Sequence, residues 1–151
     1  MKNVYSIPCN IAQTLNLLGD RWTLLILHQL MQGQDTFKKL QDRLTGIPTN
    51  LLSERLKSLE ADQLILSKLY QPHPPRYRYE LTGGGKDLAD IFNSLMLWGE
   101  RNVSNCHKRL THKECGHGIE LQYYCNTCNR PVSKEELQVI NEDSERTEIF
   151  K

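Results

Sequence analysis

The chain has 151 residues, 19 Lys and Arg against 18 Asp and Glu, a formal net charge of +1 and 38% hydrophobic residues. That length carries one full domain and a small appendage, and the apolar content suffices for a compact helical core, more easily if two copies share it. The longest apolar run, 22–30, is broken by Thr23 and His28, so no membrane span is expected. The first residues lack a basic head followed by an apolar run and a small-residue cleavage site. The expected location is therefore cytoplasmic. There the five cysteines suit metal ligands or redox thiols better than a disulfide framework.

In chain order, Ile11, Leu15 and Leu18 recur at helical spacing and predict a first helix ended by Gly19. Asp20 can cap the next helix, whose apolar stripe is Trp22, Leu25, Ile26 and Leu30, with Gly33 as its stop. Asp35 and Thr36 cap a short helix that turns Phe37, Leu40 and Leu44 inward. Thr45, Gly46, Ile47 and Pro48 form a turn, and the proline ring fixes φ at the entry of the following helix. That helix, over 50–62, buries Leu52, Leu56 and Leu59 and shows Asn50, Ser53, Glu54 and Lys57. A strand over 64–70 follows. Pro72, Pro74 and Pro75 make a rigid loop, and 76–81 returns with Tyr77 and Tyr79 on one face and Arg78 on the other.

Thr82 and Gly83, Gly84 and Gly85 lead into a long helix from Lys86 to Val103. Its apolar positions Leu88, Ile91, Phe92, Leu95, Leu97 and Trp98 cover more than one stripe, as a helix facing both its own core and another subunit requires. The character changes after Val103. Residues 105–130 are polar and rich in Cys and His, and the tail predicts a weak helix at 135–140 before an acidic end.

A helix pair beside a hairpin can lay one helix in the major groove and rest a wing on the backbone. Between positions 36 and 79 eight basic residues stand against four acidic ones, whereas 134–151 carries three basic and six acidic. The candidate reading surface is Thr49, Asn50, Ser53 and Lys57, groups that reach base edges or phosphates; Asn can pair bidentately with adenine. Arg55 sits to the side, facing phosphate or a carboxylate such as Glu60 or Asp62. Lys38 and Lys39 extend the basic face, and Arg76 and Arg78 are where a wing meets the backbone or minor groove.

An ordered set of motifs then resembles one family. It comprises Cys9, 17–23 (LLGDRWT), 37–40 (FKKL), 52–62 (LSERLKSLEAD), 74–79 (PPRYRY) with Leu81, Thr82 and Gly85, and 97–100 (LWGE). The stretch 9–100 resembles the HxlR-type winged helix-turn-helix transcriptional regulators. The resemblance implies a mainly α fold with a small β-hairpin wing, and a homodimer joined through the first and last helices on a two-fold symmetric DNA operator. It also implies that Cys9 senses oxidants or electrophiles, as in several such regulators. Gln63 stands where the family usually has glycine, and Gly83 and Gly84 loosen the start of the last helix.

Two half-sites close the reading. His112, Cys115 and Gly116 match Cys125, Cys128 and Asn129, each pair of ligands being separated by two residues. Such pairs bind Zn²⁺ from tight turns, and Gly116 and Asn129 tolerate the left-handed backbone that follows. A short hairpin over 118–124 would join them into a closed, structural site whose metal supplies the folding energy. Cys106 and His117 are rival fourth ligands, and His107 a weaker one. Three thiolates leave that site negative and away from DNA, so its expected role is dimer support or placement of the long helix. Reduced surface cysteines on a floppy tail are the alternative there.

The expected domains are 9–104, a winged helix-turn-helix and dimerisation domain; 105–131, a zinc-ribbon-like segment; and 132–151, an acidic tail. Cys9, at a helix start, has the dipole to activate its thiol, or is a small buried packing residue. The expected function is a homodimeric, sequence-specific DNA-binding regulator, more in keeping with a repressor, and not an enzyme. The alternatives are a thiol-disulfide redox protein using Cys125 and Cys128, or a winged-helix module that binds protein.

Overall fold

The computed structural model describes residues 4–105, 108–140 and 147–148. They fall into two compact units divided between Phe92 and Asn93. In the first unit α1 (Asn10–Leu18), α2 (Thr23–Met31), α3 (Phe37–Arg43) and α4 (Thr49–Ala61) precede a hairpin of β1 (Ile65–Gln71) and β2 (Arg76–Leu81). Then come α5 (Gly83–Asp87) and α6 (Ala89–Asn102), within which the division falls.

The core gathers Leu18, Ile26, Leu27, Leu30, Leu40, Leu44, Ile47, Leu52, Leu56, Leu59, Ile65 and Phe92. Burying each of these large side chains contributes about 1.5–3 kcal/mol. The leucines at i, i+4 and i+7 of α4 are all in this set, so its periodicity sets the buried face. Of the apolar positions that mark α1 and α2, Ile11, Leu15 and Leu25 stay outside the core, at 64%, 44% and 45% exposed. Ala12 and Leu18 cover the inner side of α1 instead, which leaves the larger apolar residues outside.

The arm before α1 is fastened by its backbone. Asn16 Oδ1 accepts from Tyr5 N at 2.7 Å, and Asn16 Nδ2 donates to Tyr5 O at 3.0 Å. Gln13 Nε2 donates to Ile7 O at 3.0 Å. Cys9 occupies the N-cap of α1 and is exposed, so it is not the buried packing residue that was one alternative.

The turn between α3 and α4 carries Gly46 at φ 89°, and Ile47 N donates to Leu44 O at 3.1 Å. Gln41 Nε2 donates to Thr49 Oγ1 at 2.7 Å, a second tie between the two helices. After α4 the chain reverses at Gln63, whose φ of 57° lies in the left-handed region. The backbone thus keeps the turn that favours glycine although the residue is glutamine.

β1 and β2 pair antiparallel, with Ser67 opposite Tyr79 and an irregularity between Leu69 and Gln71. The wing is also stitched to the start of α3: Thr36 bridges Arg78, and Tyr79 N donates to Asp35 O at 2.7 Å. The three glycines do not lead into one long helix. They form α5, capped by Thr82 Oγ1, which accepts from Gly85 N at 3.1 Å, and Leu88 separates α5 from α6. Gly85 is required by close approach, since a Cβ there would lie 2.2 Å from Leu64 O.

In the second unit β3 (Tyr123–Cys125) pairs with β4 (Arg130–Val132), and β5 (Val139–Ile140) pairs with β6 (Thr147–Glu148). The helix expected at 135–140 is a single 3₁₀ turn, Lys134–Glu136, followed by the strand β5. Ser133 and Glu136 close a capping box on that turn, and Arg130 Nη2 meets Glu136 Oε1 at 2.6 Å. These contacts pull the Glu136 carboxyl down to about 2, the Arg130 hydrogen bond first among them. Val139 is β-branched and finds a pairing partner, which outweighs the weak helical pattern.

Candidate nucleic-acid interface and cysteine turns

α4 presents Thr49, Asn50 and Lys57 to solvent, with Ser53 half-buried between them. The opposite side holds Leu52, Leu56 and Leu59 at 0–2% exposure, so the direction of the polar side is fixed by packing. Pro48 caps the helix in extended conformation, and Leu52 N reaches back to Pro48 O at 2.9 Å. Lys38 on α3 and Arg76 and Arg78 on the wing are exposed as well. Among the described residues no ion-pair partner stands against Lys38, Lys57 or Arg76. They are free cations on a surface built from one helix pair and one hairpin.

Arg55 departs from the expected set. Its side chain is only 17% exposed and turns back to Asp20, Nη2 to Oδ2 at 3.0 Å, with Glu54 at 3.4 Å. Its Nε is buried without a hydrogen-bond partner. The carboxylates expected as alternatives, Glu60 and Asp62, are not the ones it uses. Glu60 instead accepts from Ser67 N at 2.9 Å and Ser67 Oγ at 2.5 Å. Arg55 thus ties α4 to the turn between α1 and α2, and Asp20 also accepts from Trp22 N at 2.9 Å. A half-buried guanidinium already paired with Asp20 and Glu54 must give up those partners to reach a phosphate, so its role here is to hold α4 in place.

Sequence reasoning passed over Asp35 as more than a cap. Its Oδ1 lies 2.8 Å from Lys39 Nζ, and its Oδ2 lies 2.8 Å from Arg78 Nε. The hydrogen bond from Lys39, assisted by the charges of Lys39 and Arg78, holds the Asp35 carboxyl below its ordinary value, although its partial burial pushes the other way. The i, i+4 spacing of Asp35 and Lys39 is a signal the sequence offered. The pairing with Arg78 is not, because it depends on how the wing returns. Arg78 also stands over the Tyr70 ring, 5.8 Å from its centroid.

The cysteine turns are locally formed. His112 Nδ1 lies 3.2 Å from Cys115 Sγ, and Gly116 N donates to His112 O at 2.8 Å. Cys128 N approaches Cys125 Sγ at 3.5 Å. Gly116 has φ 71° and Asn129 φ 52°, the left-handed backbone expected after the second residue of each pair. The expected hairpin over 118–124 is absent. Each pair is instead bracketed by its own antiparallel contact, Thr111 with Gly118 in one turn and β3 with β4 in the other. The amide and thiol of Cys128, and the Thr127 amide, draw the Cys125 thiol below its usual pKa. Both turns therefore have the soft donors and the backbone of half a zinc site. Among the described residues no three His, Cys, Asp or Glu side chains are gathered around one point. Cys106 and His107 lie outside the described residues, and His117 is exposed beside the first turn.

Among the described residues no helix is long and apolar enough to cross a membrane. The HxlR-like helix-turn-helix family matches residues 17–107. The HTH-type transcriptional regulator Rv3095 of Mycobacterium tuberculosis is 33% identical over 127 residues, covering 82% of this chain and 80% of the relative. The solved structure of the transcription factor PA1607 superposes with a TM-score of 0.75 at 25% identity, over 91% of this chain and 97% of that one. The redox regulator HypR in its oxidised form gives a TM-score of 0.57 at 29% identity, over 62% of this chain and 97% of that one.

Proposed function

Because the chain belongs to the HxlR-like helix-turn-helix family of transcriptional regulators, DNA-binding proteins rather than enzymes, we propose that it is a homodimeric repressor that inserts α4 into the major groove. The observation that carries this reading is the outward set Thr49, Asn50, Ser53 and Lys57 on a helix whose other side is fully packed. Asn50 and Ser53 read base edges. Lys38, Lys57, Arg76 and Arg78 neutralise phosphates, and Arg55 holds the helix from behind. Ile11 and Leu15 on α1 are exposed, and so are Ile91, Leu95 and Trp98 on α6; each set is apolar surface of the kind that a second copy would cover. Two α4 helices then fall about 34 Å apart, one turn of DNA. Genomic footprinting of the bound protein tests both parts. The expected footprint is a two-fold symmetric site with half-sites about one turn apart; asymmetric single half-sites would refute the dimer.

Cys9 is assigned the sensor role, supported by its exposure at the N-cap of α1, beside the apolar residues that would meet the partner. Diamide should lower operator affinity in the parent and leave Cys9→Ala unaffected; an equal response of both ends the assignment.

Residues 105–131 are assigned a structural Zn²⁺ held by His112, Cys115, Cys125 and Cys128. The support is the donor chemistry and the paired left-handed turns. The metal would cross-link two turns that have little apolar core of their own, and the closed set leaves no position for reactive water.

A further inference from the structure

We propose that Asp35 is a positioning residue for DNA contact, one that fastens Lys39 of α3 and Arg78 of the wing at a single point facing phosphate. This rests on the reading of this face as the DNA interface. Each carboxylate oxygen takes one cation, Oδ1 with Lys39 Nζ and Oδ2 with Arg78 Nε, both at 2.8 Å. Two cations around one carboxylate leave the cluster with a net positive charge, so it still attracts an anion. Arg78 uses its Nε for Asp35, and the two terminal nitrogens keep the fork geometry that grips a phosphate bidentately.

The backbone adds to the fastening. Asp35 O accepts from Tyr79 N at 2.7 Å, and Thr36 bridges Arg78, so carboxylate and guanidinium are presented from chain segments already bound to each other. The Tyr70 ring backs the guanidinium from one side. Both cations remain 52% exposed and Asp35 26% exposed. Exposed pairs of this kind contribute little to stability. What the arrangement supplies is orientation: two long side chains from different elements lose their rotamer freedom before DNA arrives, which lowers the entropy cost of the contact.

The test is Asp35→Asn in the full chain. Its probes are a short duplex selected by the parent from a random-sequence pool and an unselected duplex of equal length. The substitution makes the protein more positive, so simple Coulomb attraction predicts tighter binding to both. Positioning instead predicts about tenfold weaker binding to the selected duplex and a loss on the unselected one as well, because the contacts are to phosphate. Asp35→Glu, which keeps the charge, should recover most of the affinity, and the thermal midpoints of all variants should agree within a few degrees. In an Arg78→Ala, Lys39→Ala background the same Asp35→Asn change should cost less than about twofold. Unchanged or tighter binding of Asp35→Asn to the selected duplex, or an undiminished loss in that background, overturns the proposal. If Arg78→Ala and Lys39→Ala leave the parent's affinity intact, these two cations do not face phosphate and the proposal fails; if Asn50→Ala and Lys57→Ala also match the parent, the broader reading fails with it.

Discussion

Gln63 shows how a single position can retain a family's geometry without its residue. Its φ of 57° places a Cβ-bearing side chain in the left-handed region, at a cost of about 1–2 kcal/mol. Glycine there would remove that cost while raising the entropy of the unfolded chain by somewhat less. Gln63→Gly should therefore stabilise the protein by about 0.5–1 kcal/mol, seen as a higher midpoint in urea unfolding. A lower midpoint would show that the Gln63 side chain makes a compensating contact. At this scale the sequence was legible for residues whose role is set by local spacing. Leu52, Leu56 and Leu59 are buried as their periodicity requires, and Gly116 and Asn129 adopt the backbone their types allow. It was not legible for Arg55. Its choice of Asp20 over Glu60 or Asp62 depends on how α4 packs on the turn after α1, a tertiary fact that no local spacing encodes.

Among the elements, α5 was the least expected. Three successive glycines lose more conformational entropy in a helix than any other residues, so they suggested a loose lead-in. The helix forms because Thr82 caps it and because Gly85 must pass close to Leu64 O. Two effects oppose each other at Gly85. Alanine gains about 1 kcal/mol in helix propensity. A Cβ 2.2 Å from a backbone oxygen forces a shift typical of overpacking, about 1–3 kcal/mol and at the upper end when the neighbour is backbone. Gly85→Ala should thus be net destabilising, whereas Gly83→Ala, which meets nothing within 4 Å, should be neutral or stabilising. Thermal unfolding of the two variants checks the ordering, and the reverse order would mean that Leu64 and α5 do not approach as described. The apolar faces of α1 and α6 teach a related lesson. Helical spacing identified Ile11, Leu15, Leu95 and Trp98 as belonging to an apolar face, but spacing alone does not say whether that face meets the chain's own core or a second subunit.

At the scale of the whole molecule, the two units differ in what holds them together. The first carries the packed core and the surface proposed to face DNA. Within the second unit, residues 108–140 are held by short strands and turns, with Leu121, Tyr123 and Tyr124 exposed and little apolar burial to hold that segment together. Removing Zn²⁺ with a strong chelator, or substituting Cys128→Ser, should therefore unfold residues 108–140 while leaving the helical signal of α1 to α6. Metal analysis of the purified protein should give about one Zn²⁺ per chain, the occupancy of one closed four-ligand site. A metal-free protein with a protease-resistant second unit would contradict the zinc assignment without touching the DNA reading.

The central claim, that the outward side of α4 meets DNA, is tested most directly by the salt dependence of duplex binding in the parent and in Lys57→Ala and Asn50→Ala. The account predicts a steep loss of affinity with salt in the parent and a slope shallower by about one in Lys57→Ala. It further predicts that Asn50→Ala weakens the selected duplex by about 1–3 kcal/mol while leaving the slope unchanged. Salt-independent binding, or variants that match the parent on every duplex, would contradict it.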